Sequence, residues 1–280
     1  MSIVERLRAA GCVFAEDEAR LLTAAAAGPG DLAALVARRV AGEPLEHLLG
    51  WVEFCGLRIA LDPGVFVPRR RTALLVREAV ARLAGRPAPP TVVDMCCGSG
   101  AVGAAVARAA GPVTLHATDV DPAAVRCARR NLAPAGGTVY QGDLDAPLPA
   151  ALRGRVDVLV ANVPYVPTAE LARMPPEARD HEPRIALDGG ADGLDVLRRV
   201  ASAAPVWLAP GGHLLIETSD RQAAAAVAAF AAAGLTARVV TDDDLAATAV
   251  VGTREPVIEA PFKSLERLDG SFDHHDFGSA

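Results

Sequence analysis

Thr91-Val92-Val93-Asp94-Met95-Cys96-Cys97-Gly98-Ser99-Gly100-Ala101-Val102-Gly103 runs from a β-branched apolar segment, through glycines, into an alanine-rich one. Residues 91–95 read as a buried parallel strand and 101–110 as a helix, with GxGxxG spacing from Gly98 to Gly103 between them. Glycines at such a turn let the backbone come close to a ligand. Downstream the alternation repeats. Strand 113–118 ends at Asp119 and helix 122–132 is capped by Asp121; strand 138–141 ends at Gly142-Asp143, and a fourth strand spans 156–161. Helix 193–204, strand 212–217 and helix 221–233 follow, then two β-rich runs, 235–241 and 248–253. This order predicts an α/β, Rossmann-like fold: a mostly parallel seven-stranded sheet with helices on both faces and an antiparallel edge strand.

Upstream, residues 3–10, 17–27 and 31–40 predict three helices, broken at Gly11 and at Gly28-Pro29-Gly30, with Asp31 as an N-cap. Residues 51–60 predict two short strands turning at Cys55-Gly56, and 73–84 a further helix. The expected organisation is an N-terminal helical bundle and hairpin over 1–66 that docks a partner, a main domain over 67–258, and a loose tail over 259–280. Asp273-His274-His275-Asp276 in that tail reads as a solvated run rather than a metal site, and His47 as a packing or hydrogen-bonding residue.

With 51% apolar residues among 280, the chain can bury a large core. A net charge of −6 argues against a protein held to nucleic acid by a basic field, so no stable nucleic-acid binding is expected. Arg69-Arg70-Arg71 remains as a local basic patch for a phosphate or an acidic partner. Five cysteines lack disulfide or zinc spacing, so no metal is expected. No apolar run approaches membrane-spanning length, and a soluble cytoplasmic monomer is the expectation.

Asp119, about twenty residues beyond the glycines, is suited to the hydroxyls of a ribose. Glycines and Asp119 alone equally fit a dinucleotide-dependent dehydrogenase. Three features favour S-adenosylmethionine instead. Asp94, four residues before Gly98, suits a cationic ligand and not a pyrophosphate. Asp143 is placed to accept from an adenine amino group. Asn162-Val163-Pro164-Tyr165 then follows the fourth strand with a planar amide, a fixed backbone and a flat ring. That turn can hold an amide or amino group by its N–H donors, with the nitrogen aimed at an electrophile. Asn162, Val163, Pro164 and Tyr165 are therefore the candidate catalytic residues. Asp94, Cys96, Gly98, Gly100, Asp119, Asp143 and Asn162 are candidate cofactor ligands, Cys96 and Cys97 being turn residues rather than a redox pair.

These motifs together resemble the HemK/PrmC family of protein glutamine N(5)-methyltransferases, from about Gly42 to Arg254. The resemblance includes Gly42-Glu43-Pro44-Leu45-Glu46-His47-Leu48-Leu49-Gly50, Phe54-Cys55-Gly56, Val67-Pro68-Arg69 and Glu182-Pro183-Arg184-Ile185-Ala186-Leu187-Asp188-Gly189-Gly190. It implies a class I S-adenosylmethionine-dependent methyltransferase fold, with Asp143 and Leu144 near the adenine and residues 162–165 on a substrate glutamine. In the family that glutamine lies in the Gly-Gly-Gln loop of peptide chain release factors, which the N-terminal helices help dock. Two motifs depart from the family pattern. Asn-Pro-Pro-Tyr is Asn162-Val163-Pro164-Tyr165 here, and Pro-Arg-Pro-Glu-Thr-Glu is Pro68-Arg69-Arg70-Arg71-Thr72-Ala73. The alternatives are an amino-methyltransferase acting on adenine in RNA or DNA, one acting on a small molecule, and an S-adenosylmethionine-binding protein without turnover.

Overall fold

A computed structural model describes residues 1–87 and 89–256 of the chain. The tail and its Asp273–Asp276 run lie outside the described residues. Four helices come first: α1 (Ile3–Ala9), α2 (Ala15–Ala25), α3 (Pro29–Val40) and the short α4 (Leu45–Leu49). Ser2 caps α1 in a reciprocal box with Glu5. The cap of α3 differs from expectation. Gly28 holds that position with Pro29 as the first helical residue, because proline arrives with the required φ and no N–H to lose. Asp31 lies inside the first turn and accepts from the Ala27 N–H at 2.9 Å. Leu7, Leu22 and Val36 close a small core of their own between these helices.

The hairpin β1 (Trp51–Phe54) and β2 (Leu57–Ala60) follows, paired antiparallel. Its inner residues Val52, Phe54 and Ile59 bury in the same apolar cluster as α5 (Ala73–Leu83), not with the N-terminal helices. His47 Nε2 is 2.8 Å from the Val65 carbonyl and buried, a hydrogen-bonding role as expected.

The remaining elements are β3 (Thr91–Met95), α6 (Ala101–Ala110), β4 (Thr114–Asp119), α7 (Pro122–Leu132), β5 (Thr138–Gln141), β6 (Val156–Ala161), α8 (Pro176–His181), α9 (Asp195–Trp207), β7 (Leu208–Thr218), α10 (Ala223–Ala232), β8 (Thr236–Asp242) and β9 (Ala247–Thr253). The seven-stranded sheet runs β5-β4-β3-β6-β7-β9-β8. β3 to β7 pair in parallel, while β9 lies antiparallel to both β7 and β8. One face packs on α5, α6 and α7 through residues such as Val92, Val158 and Val160; the other packs on α9 and α10 through Val93, Leu159 and Leu214. Burial on both faces explains the unbroken apolar runs of β3 and β6. Strand order reverses between β3 and β6, where Met95 stands beside Ala161. The glycine turn and Asn162, each one step past a strand end, therefore share one crevice, where open α/β sheets bind ligands.

Candidate active site

A cavity of about 750 Å³ opens at that crevice. Asp94, Cys96, Gly98, Asp119, Asp143, Leu144 and residues Asn162 to Tyr165 all line it. Gly100 does not. It caps α6 with φ +77, and a Cβ there would stand 3.1–3.2 Å from Leu132 and Ala128 of α7. Its glycine character is thus needed for helix packing and a left-handed backbone rather than for the cavity wall.

The sheet end of the cavity is acidic and tightly organised. Asp94 is 1% exposed, and its Oδ2 accepts from the Gly103 N–H at 2.8 Å. A Cβ on Gly103 would stand 3.0 Å from that oxygen, which accounts for the third glycine of the spacing. Burial pushes the Asp94 carboxyl up to about 8, with Asp119 adding to the shift, so this acid is largely neutral near pH 7. Burial also raises the Asp119 carboxyl, although its two oxygens accept from the N–H groups of Gly98 (2.8 Å) and Asp121 (2.9 Å). Asp143 is paired through Oδ2 with Arg199 at 2.6 Å. Burial raises the thiols of Cys96 and Cys97, which keeps them protonated and poor redox groups. Cys96 (φ +56) and Leu144 (φ +49) are non-glycine residues held in the left-handed region. Strain of this kind is retained where the surroundings over-determine it, and both residues sit on the cavity wall.

The other end of the cavity is built by the Asn162 turn and by a 3-10 turn over Arg70–Thr72 that leads into α5. Asn162 Nδ2 donates to Thr72 Oγ1 at 3.4 Å, while its Oδ1 has no partner among the described residues. The side-chain amide is thereby oriented with its acceptor oxygen uncommitted. Arg71 donates through Nε to Glu217 at 3.0 Å and through Nη2 to the Tyr165 hydroxyl, with its guanidinium carbon 5.8 Å from the Tyr165 ring centre. Arg69 donates to Glu182 Oε1 at 2.6 Å. Burial raises the Tyr165 phenol, so it is neutral across the working range of pH.

The residues fit a nucleoside cofactor bearing a cationic sulfur. Ser99 and Thr118 are among the cavity residues, and their hydroxyls lie buried with no partner among the described residues. Such orphaned hydroxyls call for a polar ligand. Asp119, Asp121 and Asp143 at the same end, joined by Asp94 once it ionises, favour positive charge over a pyrophosphate.

The comparisons decide the lineage. A chain from Geobacter sulfurreducens described as a release factor glutamine methyltransferase is 39% identical over 231 residues, covering 81% of this chain and 79% of the relative. This chain belongs to the release factor glutamine methyltransferase family. Residues 56–174 also match the family model described as the methyltransferase small domain. A 4-amino-L-phenylalanine/4-methylamino-L-phenylalanine methyltransferase from Streptomyces pristinaespiralis is 37% identical, over 79% of this chain and 81% of its own length. Among solved structures, the ribosomal protein L11 methylase of Lactobacillus delbrueckii superposes with a TM-score of 0.51 at 19% identity, over 70% of this chain and 85% of that one. That likeness concerns the class I methyltransferase fold alone. As a member of the family, the chain uses S-adenosylmethionine.

Ser99, Thr118, Thr72 and Arg199 are polar cavity residues of this family member that carried no site assignment in the sequence. Ser99 and Thr118 stand beside Gly98 and Asp119, so proximity was the available signal. Thr72 lies in the stretch after Val67-Pro68-Arg69, whereas nothing in the sequence flags Arg199 on α9. Among the described residues, no helix is long and apolar enough to cross a membrane.

Proposed function

We propose that this protein methylates the side-chain amide nitrogen of a protein glutamine, the Gly-Gly-Gln glutamine of a peptide chain release factor, acting as a cytoplasmic monomer. The observation that carries the reading is the uncommitted Oδ1 of Asn162, with its amide oriented by Thr72 at the strand end beside the glycine turn. Bound S-adenosylmethionine supplies an electrophilic methyl carbon on a cationic sulfur. Asp119 would take the ribose hydroxyls, Asp143 and Leu144 would frame the adenine, and Asp94, once ionised, would offer negative charge near the cationic part.

An amide nitrogen is a weak nucleophile because its lone pair is delocalised, so orientation and exclusion of water supply most of the acceleration. Asn162 Oδ1 and the Val163 carbonyl accept the two N–H bonds of the substrate amide, and they favour the charge that develops on nitrogen. Val163 does this as well as a proline would, since only its carbonyl is used. Tyr165 packs on the amide plane. Held there, the nitrogen would accept the methyl group, the sulfur would leave as a neutral thioether, and the nitrogen would give up one proton to solvent. The test is mass spectrometry of release factor incubated with this protein and S-adenosylmethionine. One methyl on the loop glutamine is expected; cofactor binding with an unmodified glutamine would reject the substrate.

A second reading is favoured by one observation, the guanidinium of Arg71 in the acceptor wall. The Streptomyces pristinaespiralis relative is named for 4-amino-L-phenylalanine and 4-methylamino-L-phenylalanine, free amino acids that carry both a ring amine and their own carboxylate. The same turn receives the two N–H bonds of an aromatic amine.

A further inference from the structure

The two ends of the cavity have opposite character. Carboxylates gather at the glycine turn, while Arg69 and Arg71 stand at the Asn162 turn. Each arginine is tethered from behind by one buried carboxylate, Glu182 or Glu217. Arg71 keeps 43% of its side chain exposed. Its Nε and Nη2 are committed to Glu217 and Tyr165, but Nη1 meets no acceptor among the described residues. Arg71 and Thr72 are consecutive, and they brace opposite ends of the same turn, Tyr165 and Asn162 respectively. Whatever nitrogen the turn holds, the guanidinium is its neighbour. Glu217 balances the charge of the pair, yet it lies on the buried side, so the edge turned to the cavity offers only donors.

Resting on the N-methyl-transfer reading above, we propose that Arg71 is a specificity-determining residue whose Nη1 edge holds a carboxylate of the methyl acceptor beside the Asn162 turn. The shared chemistry is a carboxylate carried by the same acceptor as the methylated nitrogen. Its source is an acidic residue flanking a loop glutamine or the α-carboxylate of a free amino acid. A guanidinium suits this role because it stays cationic at every working pH and its Nη1 still carries N–H donors for a charge-assisted hydrogen bond.

The experiment measures kcat/KM for matched acceptors with the full chain. One pair is a release factor with glutamate or glutamine placed next to the Gly-Gly-Gln loop. The other is 4-amino-L-phenylalanine and its carboxamide. Preference for the charged member of either pair by about tenfold or more is expected, the scale of one charge-assisted hydrogen bond. The pair that shows it identifies the source. In Arg71→Met that ratio falls towards one, and Arg71→Lys restores part of it. Arg71→Met combined with Glu217→Gln avoids stranding a buried charge and is expected to lose the ratio equally. No preference in either pair overturns the proposal, as does a preference that survives Arg71→Met. So does a loss of S-adenosylhomocysteine affinity in the double variant, which would assign Arg71 to the cofactor. Methylation of none of the four acceptors by the unaltered chain would instead reject the underlying reading of the site, and the proposal with it.

Discussion

Asp94 makes the affinity for S-adenosylmethionine depend on pH in a way that can be worked out beforehand. Its carboxyl is buried and raised to about 8, yet its position suits a cation. A neutral acid must lose its proton before it can attract that cation, so affinity falls as pH drops through about 8. An acid of that pKa is ionised in about a tenth of molecules near pH 7 and about nine-tenths near pH 9. Ionisation of Asp94 by itself is therefore expected to tighten binding about tenfold across that range, and to release close to one proton per cofactor bound near pH 7. Calorimetry in two buffers of different ionisation heat counts the proton directly. The cofactor's own α-amino group titrates near pH 8 as well, which pulls in the opposite direction. Asp94→Asn retains the amino group and loses the acid, so the difference between the two proteins isolates Asp94. Parallel pH profiles in the two proteins would refute the argument. The sign of stability runs the other way: with more protons bound in the folded than the unfolded state, the unliganded fold loses stability as pH climbs from the ordinary carboxylate range towards 8.

Three further substitutions probe separate parts of the site. Asn162→Ala removes the acceptor oxygen and is expected to lower kcat about 100-fold or more, with S-adenosylhomocysteine affinity within about twofold by calorimetry. Thr72→Val removes the partner of Asn162 Nδ2 and frees its amide to rotate; a kcat loss of about 5- to 20-fold is expected in steady-state assays, with no change in cofactor affinity. Gly100→Ala forces a side chain onto a φ of +77 and within 3.1–3.2 Å of Leu132 and Ala128. It is expected to cost about 1–3 kcal/mol in chemical denaturation and to weaken cofactor binding only through the displaced turn.

The legible parts of this chain are those where one local rule acts without competition. Strands Thr91–Met95, Thr138–Gln141 and Val156–Ala161 and helices Ala101–Ala110 and Pro122–Leu132 fall where the sequence predicts them. Apolar runs, a Gly turn and an Asp121-Pro122 cap leave little else for those residues to do. β7 shows the opposite case. The sequence predicts that strand over 212–217, past Pro210-Gly211; it starts at Leu208, which pairs with Val156 before an irregularity carries His213 onto Val158. Sheet pairing there overrides local propensity. α4 and α8 are short, with only five and six residues, and carry too little periodicity to register. The cavity divides in the same way. Strand-end acids and the Asn162 turn are visible because topology forces strand ends together. Thr72 and Arg199 arrive from a 3-10 turn and from the far-side helix α9, contacts that only the packed fold determines. Arg71 falls between these cases: its departure from the family pattern is visible in the sequence, but its meaning is not. Only the fold shows that the arginine reaches buried Glu217 and the Tyr165 hydroxyl while keeping one edge free. A substitution that looks like the loss of an acid is, in three dimensions, the gain of a donor beside the acceptor turn.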